Sequence, residues 1–135
     1  MSDEQIALAR RAVACKGWRW MGGMLRCSPV LEKAYSKWEP DVMPTERVLD
    51  RHPLTYADKR WSNASNAWVQ MLPDLTDAAT LGCLLALVRE ALNSPRVHVL
   101  YVEGLYRWEC ADNRTVHGVG ATEAEALIET LEYAP

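Results

Sequence analysis

Nucleophilic catalysis needs a cysteine thiol or a serine hydroxyl beside a positioned base. Along this chain such a pairing can be drawn with Cys110 and either His98 or His117. The three residues fall on successive β-rich runs, "RVHVLYVE", "LYRWECA" and "RTVHGVG", so Cys110 would lie between the two imidazoles across a sheet. The same set would be the natural place to seek a metal. Yet no C-x-x-C pair exists among Cys15, Cys27, Cys83 and Cys110, and neither His98, His117 nor His52 has the short spacing of structural zinc. No G-x-S-x-G elbow is present either. Widely spaced cysteines in a reducing compartment are ordinarily buried small hydrophobes, and that is the reading adopted for all four.

Gly118-Val119-Gly120 precedes the last helical segment, where free N–H groups could meet an anion. A lone G-x-G carries little information, and no G-x-x-x-x-G-K-[ST] occurs. The plain reading is a strand-to-helix turn. No catalytic, metal-binding or cofactor-binding residue is therefore expected. A small-ligand or nucleotide groove between sheet and helices, and an enzyme built on Cys110, stand as the alternatives.

The stretch "CKGWRWMGGMLRC", Cys15 to Cys27, carries a different chemistry. Trp18, Arg19, Trp20, Met21, Met24 and Arg26 are the residue types enriched at protein interfaces. Gly22-Gly23 permits a tight turn, so residues 18–27 are predicted to form a short hairpin. Alternation would place Trp18 and Trp20 on one face and Arg19 and Met21 on the other. One face can then bury while the other meets a partner, and the hairpin edge is also open to pairing with a second copy, giving a homodimer. Lys16, Arg19 and Arg26 beside tryptophans suit single-stranded nucleic acid in type, but three charges on a chain of net charge −3 do not predict it.

The elements that must position these residues are uneven in clarity. With 135 residues, 49% apolar and 24% charged, the chain has enough for one core, and a single domain over 1–135 is expected. No apolar run approaches the roughly 18 residues of a membrane span, and "MSDEQIALARR" lacks the order of a signal peptide, so a cytoplasmic protein is expected. Residues 1–27 read as a helix capped by Ser2 and stopped near Gly17, followed by the hairpin. On that helix Ile6, Ala9 and Val13 share a stripe, and Arg10 and Arg11 face outward. Residues 28–71 are broken by prolines at 29, 40, 44 and 53 and studded with Trp38, Tyr56, Trp61 and Trp68. Short helical turns in "PVLEKAYSKW" and "PTERVLDRH" and a strand over 67–72 are the expectations there.

Residues 72–135 are clearer. A helix from about Asp77 to Leu92, capped by Thr76 or Asp77, has an apolar stripe of Leu81, Leu84, Leu85, Val88 and Leu92. Three antiparallel strands follow, with a turn at Asp112-Asn113. A final helix starts with the capping box Thr122/Glu125 and buries Ala124, Leu127, Ile128 and Leu131. The fold class is α+β, an antiparallel sheet of three to five strands with two or three helices.

"LPDLTDAATLGCLLALVREAL", "GVGATEAEALIETLEYAP" and "LARRAVACKGWRWMGGM" together resemble a group of small uncharacterised proteins of phages and prophages. More distantly, the pattern is similar to the phage ABA sandwich domain. The resemblance covers both ends of the chain. It implies a phage or prophage origin, residence in the host cytoplasm, and an accessory role exerted by binding a host or phage protein. It brings no activity and no functional residues with it.

Overall fold

Ser2 and Gln5 bracket the first turn of helix α1 (Asp3–Ala14) in a computed structural model that describes residues 1–29, 45–49, 57–62 and 66–135. The Gln5 N–H donates to Ser2 Oγ at 3.1 Å, and the Ser2 N–H donates to Gln5 Oε1 at 2.8 Å. Each side chain thus satisfies an amide that the helix cannot. Ile6, Ala9 and Ala12 are buried and Val13 half-buried, while Arg10 and Arg11 face outward as expected.

The chain is α+β, with three α-helices and eight strands in three antiparallel sheets among the described residues. It divides into two compact units. One comprises Met1–Ala9 with Trp20–Thr80, the other Arg10–Arg19 with Leu81–Pro135.

In the first unit, β1 (Leu25–Cys27) is the middle strand of three, between β2 (Thr45–Arg47) and β5 (Leu72–Pro73). The expected hairpin over 18–27 is therefore not formed. Trp18–Met21 is not a strand, and β1 takes its partners from residues 45–47 and 72–73 instead. The Gly22-Gly23 turn exists, with Gly23 at φ +96°, but its amide is bonded to Val48 O, so the turn leads into the β1–β2 pair. Part of "PTERVLDRH" is likewise strand β2 and not a helical turn; "VLEKAYSKW", His52 and Tyr56 lie outside the described residues. A separate ribbon pairs β3 (Lys59–Ser62) with β4 (Ala67–Gln70), the latter anticipated within 67–72.

Asp77 caps helix α2 (Ala78–Ala91), its Oδ2 accepting from the Thr80 N–H at 2.9 Å. Thr80, Leu84, Leu87 and Val88 are the buried residues of α2, whereas Leu81, Leu85 and Leu92 are only half-buried. The stripe is turned from the expected one because "LGCLLALV" is apolar on two adjacent faces, and the sequence pattern alone does not choose between them.

The second unit contains β6 (His98–Val102), β7 (Arg107–Ala111) and β8 (Val116–Gly120), in that spatial order, beneath helix α3 (Glu123–Tyr133). The Asp112 carboxylate builds the β7–β8 turn, accepting from the N–H groups of Arg114 (3.0 Å) and Thr115 (2.9 Å). Thr122 Oγ1 accepts from the Glu125 N–H at 3.2 Å, and Glu125 Oε2 accepts from the Ala121 N–H at 2.7 Å, one residue before the cap. Ala124, Leu127, Ile128 and Leu131 are buried as predicted, with Ala126 and Thr130 beside them. Gly118 lets strand and helix meet closely. A Cβ there would lie 2.6 Å from Ala126 O and 2.3 Å from Thr130 Oγ1.

Candidate protein-binding surface

Register and pleat assign the two faces of the β6–β7–β8 sheet. Val99, Cys110 and Gly118 stand in one row, and Tyr101, Trp108 and Gly120 in the next. Since Gly118 and Gly120 touch α3, these rows face the helix. The second row runs out to the end of the sheet. There the rings of Tyr101 and Trp108 stack across the strands at 5.6 Å between centroids, tilted by 55°. Such a cross-strand aromatic pair stabilises the hairpin.

Beyond it, β6 and β7 are joined by a 3₁₀ turn, Glu103–Leu105, and Tyr106. The turn carries its apolar side chains outward. Leu105 is 57% exposed and Tyr106 83%, and Tyr101 on the adjoining strand end is 46% exposed. Tyr106 is also left-handed, at φ 51°, ψ 43°, with its N–H bonded to Glu103 O at 3.1 Å. That conformation costs an L-residue about 1–2 kcal/mol, and glycine or asparagine would occupy it more cheaply. A bulky aromatic therefore occupies a position where the turn would prefer a small residue.

The first unit has an aromatic pair of its own. Trp61 and Trp68 oppose each other on β3 and β4, edge to face at 5.6 Å and 77°, both exposed. On the neighbouring side chains, Glu46 accepts from Arg26 at 3.0 Å and pairs with Arg60 at 3.3 Å.

Of the six residues singled out by composition, three are structural. Met24 is wholly buried and Trp20 nearly so. Arg26 is spent inside its unit, donating to Ala57 O (2.9 Å), Lys59 O (3.2 Å) and Glu46. Trp18 and Met21 are half-buried, and Arg19 is exposed but paired with Glu90 at 2.5 Å. Trp20, Met24 and Arg26 thus leave the partner-facing set. The hairpin edge offered for self-pairing does not exist either, since β1 is bonded on both sides. The exposed hairpin lies instead at residues 98–111. Its signal in the sequence was "VEGLYRW", two bulky apolar residues directly after a turn glycine.

The drawn catalytic pairings are not assembled. Cys110 is fully buried on the α3 side, and burial pushes its thiol pKa up. His98 is carried on the opposite face, and His117 is the extra residue at the irregularity between Cys110 and Ala111. His98 Nδ1 lies 3.1 Å from Arg96 O, and His117 Nε2 is 3.0 Å from Asp112 Oδ2. That contact, with the Arg114 and Thr115 amides, draws the Asp112 carboxyl pKa down to about 2. Gly118-Val119-Gly120 is not a phosphate cradle. Its glycines are consumed by strand–helix contact, and the carboxylate of Glu125 already takes up the Ala121 amide at the helix start. Among the described residues, no cluster of three or more His, Cys, Asp or Glu side chains is arranged to hold a metal. None of the described helices is long and apolar enough to cross a membrane. Compared with known protein families, curated proteins and solved structures, the chain matches none.

Proposed function

We propose that the chain is a phage- or prophage-encoded accessory protein of the host cytoplasm that works by binding a host or phage protein. The observation that carries this reading is the exposed β6–β7 turn, with Leu105 and Tyr106 held out together and Tyr106 at an unfavourable φ. Residues held in sparsely populated conformations cluster at ligand clamps and switch regions. Rigid aromatic side chains on a short hairpin are efficient anchors, because little rotamer freedom is lost when they dock. The sequence resemblance supplies the biological setting, and the burial of Cys110 supports a binding role over a cysteine enzyme.

A photo-crosslinking amino acid at position 106 tests the reading in host cells. A discrete crosslinked species is expected, absent when the same group replaces the exposed Ala79 and reduced at least about tenfold by Leu105→Ser, the scale of one hot spot. Equal crosslinking from positions 106 and 79 overturns the assignment of this turn as the docking surface.

A further inference from the structure

We infer that β6 is a self-pairing edge, through which two copies of this chain join antiparallel about a twofold axis at Leu100. The edge is bare. β6 is the outer strand of its sheet, and among the described residues no hydrogen bond joins the backbone of 98–102 to anything except β7. Alternate residues of an antiparallel edge aim their N–H and C=O groups outward, ready to pair.

The other edges of the two three-stranded sheets carry devices that discourage pairing. β2 is three residues long and includes Glu46 and Arg47. β5 is two residues long and ends in Pro73, which has no N–H to give. β8 contains Gly118 and Gly120 and abuts a register irregularity at Cys110/Ala111. β6, "HVLYV", has five residues with no proline, glycine, lysine or carboxylate, and it is the type of sequence that pairs most readily.

Self-complementarity selects the occupant and the register. A twofold axis normal to the sheet keeps each face on its own side, so a residue must oppose one an even number of positions away. Centring on Leu100 uses the whole strand, with Leu100 opposite Leu100 of the second copy, Val99 opposite Tyr101, and His98 opposite Val102. Leu100 is exposed, so the central contact is apolar. Arg96 and Glu103, both exposed, flank the strand at opposite ends. Antiparallel pairing therefore brings a basic residue beside an acidic one at each end of the seam, whereas parallel pairing would set like charges together. The seam uses the backbone edge and is independent of whether the 103–106 turn binds a different protein.

Sedimentation velocity on the full chain tests this. Two five-residue strands make a small interface, so a Kd on the order of 10 μM is expected. At several hundred micromolar the protein should sediment at twice the 15.2 kDa chain mass. Leu100→Lys and Leu100→Asp each place like charges against each other at the axis, and each should weaken the dimer at least tenfold. An equimolar mixture of the two variants should dimerise again, because Lys then meets Asp across the axis; a variant that failed through misfolding would not be rescued in trans. A monomeric wild type at that concentration overturns the proposal. So does a dimer unaffected by either substitution, and so does a mixture that stays monomeric while both variants keep the wild-type circular dichroism spectrum.

Discussion

Arg47 grips the carboxylate of Asp77 with two hydrogen bonds, 3.0 and 3.1 Å long, and also donates to Gly23 O at 2.7 Å. Asp77 in turn caps α2 and accepts from Thr80 Oγ1 at 2.9 Å, while Thr80 Oγ1 accepts from the Leu25 N–H at 2.8 Å. One carboxylate therefore ties the start of a helix to strands β1 and β2 of the same unit. Arg47, first, and then the Thr80 bonds draw its pKa down to about 2. Asp77→Ala removes the cap and strands the Thr80 hydroxyl, and it should cost about 2 kcal/mol at neutral pH.

The pH dependence of that cost has a definite sign. Folded Asp77 holds its proton less tightly than the unfolded residue, whose pKa is about 3.9. Its contribution is thus fully present above about pH 4 and is lost as the pH falls towards 2. In urea titrations, the stability gap between wild type and Asp77→Ala should narrow across that window. A gap of constant size from pH 6 to pH 2 would show that the carboxylate's charge is not what holds the strands.

Two glycines make opposite predictions. Gly118→Ala drives a methyl into the α3 backbone at Ala126, where strand and helix cannot both stay in place. A loss of about 1–3 kcal/mol is expected. Gly82 is exposed within α2, with nothing within 4 Å of its would-be Cβ, so Gly82→Ala should gain about 0.5–1 kcal/mol. Thermal melting of the pair checks both directions at once.

How much was legible follows from what each signal depends on. Ser2, Thr122 and Glu125 act through bonds to amides a few residues away, so their helix starts could be read directly. Leu127 and Leu131 lie on a helix with one apolar face and were legible too. The residues around β1 were not, because Leu25–Cys27 pairs with strands about 20 and 46 residues distant, which no local pattern encodes. Composition marked Met24 as an interface residue because buried cores and interfaces both take methionine, and it marked Arg26 because composition does not show that its guanidinium is used by carbonyls and a carboxylate of its own unit. The α2 helix lies between these cases. Leu84 is fully buried and Leu85 half-buried. Leu84→Ala should therefore cost about 2–5 kcal/mol, and Leu85→Ala clearly less. Equal costs would mean that both faces of α2 are covered.

The cysteines should separate by accessibility. Cys27 and Cys110 are buried, Cys15 and Cys83 half-buried, and all four are unbridged. Burial also raises the thiol pKa of Cys15 and of Cys110. Titration of the native protein with a charged disulfide reagent at pH 8 should count two thiols, and titration after unfolding should count four. Four fast-reacting thiols in the native state would contradict the burial of Cys110 under α3.

Tyr106 offers the sharpest separation of stability from binding. Its φ of 51° suits glycine, and its ring, 83% exposed, contributes almost no burial to the fold. Tyr106→Gly should therefore leave stability unchanged or raise it by about 1 kcal/mol, the relief of left-handed strain offset by the greater freedom of the unfolded chain. The same change removes the most prominent aromatic side chain of the proposed docking turn, and should weaken partner binding at least about tenfold. Tyr106→Asn, which also tolerates this φ, is the matched control: it should behave as the glycine variant does if the ring is what binds. A variant that is more stable and binds undiminished would mean that the strain at Tyr106 serves no partner.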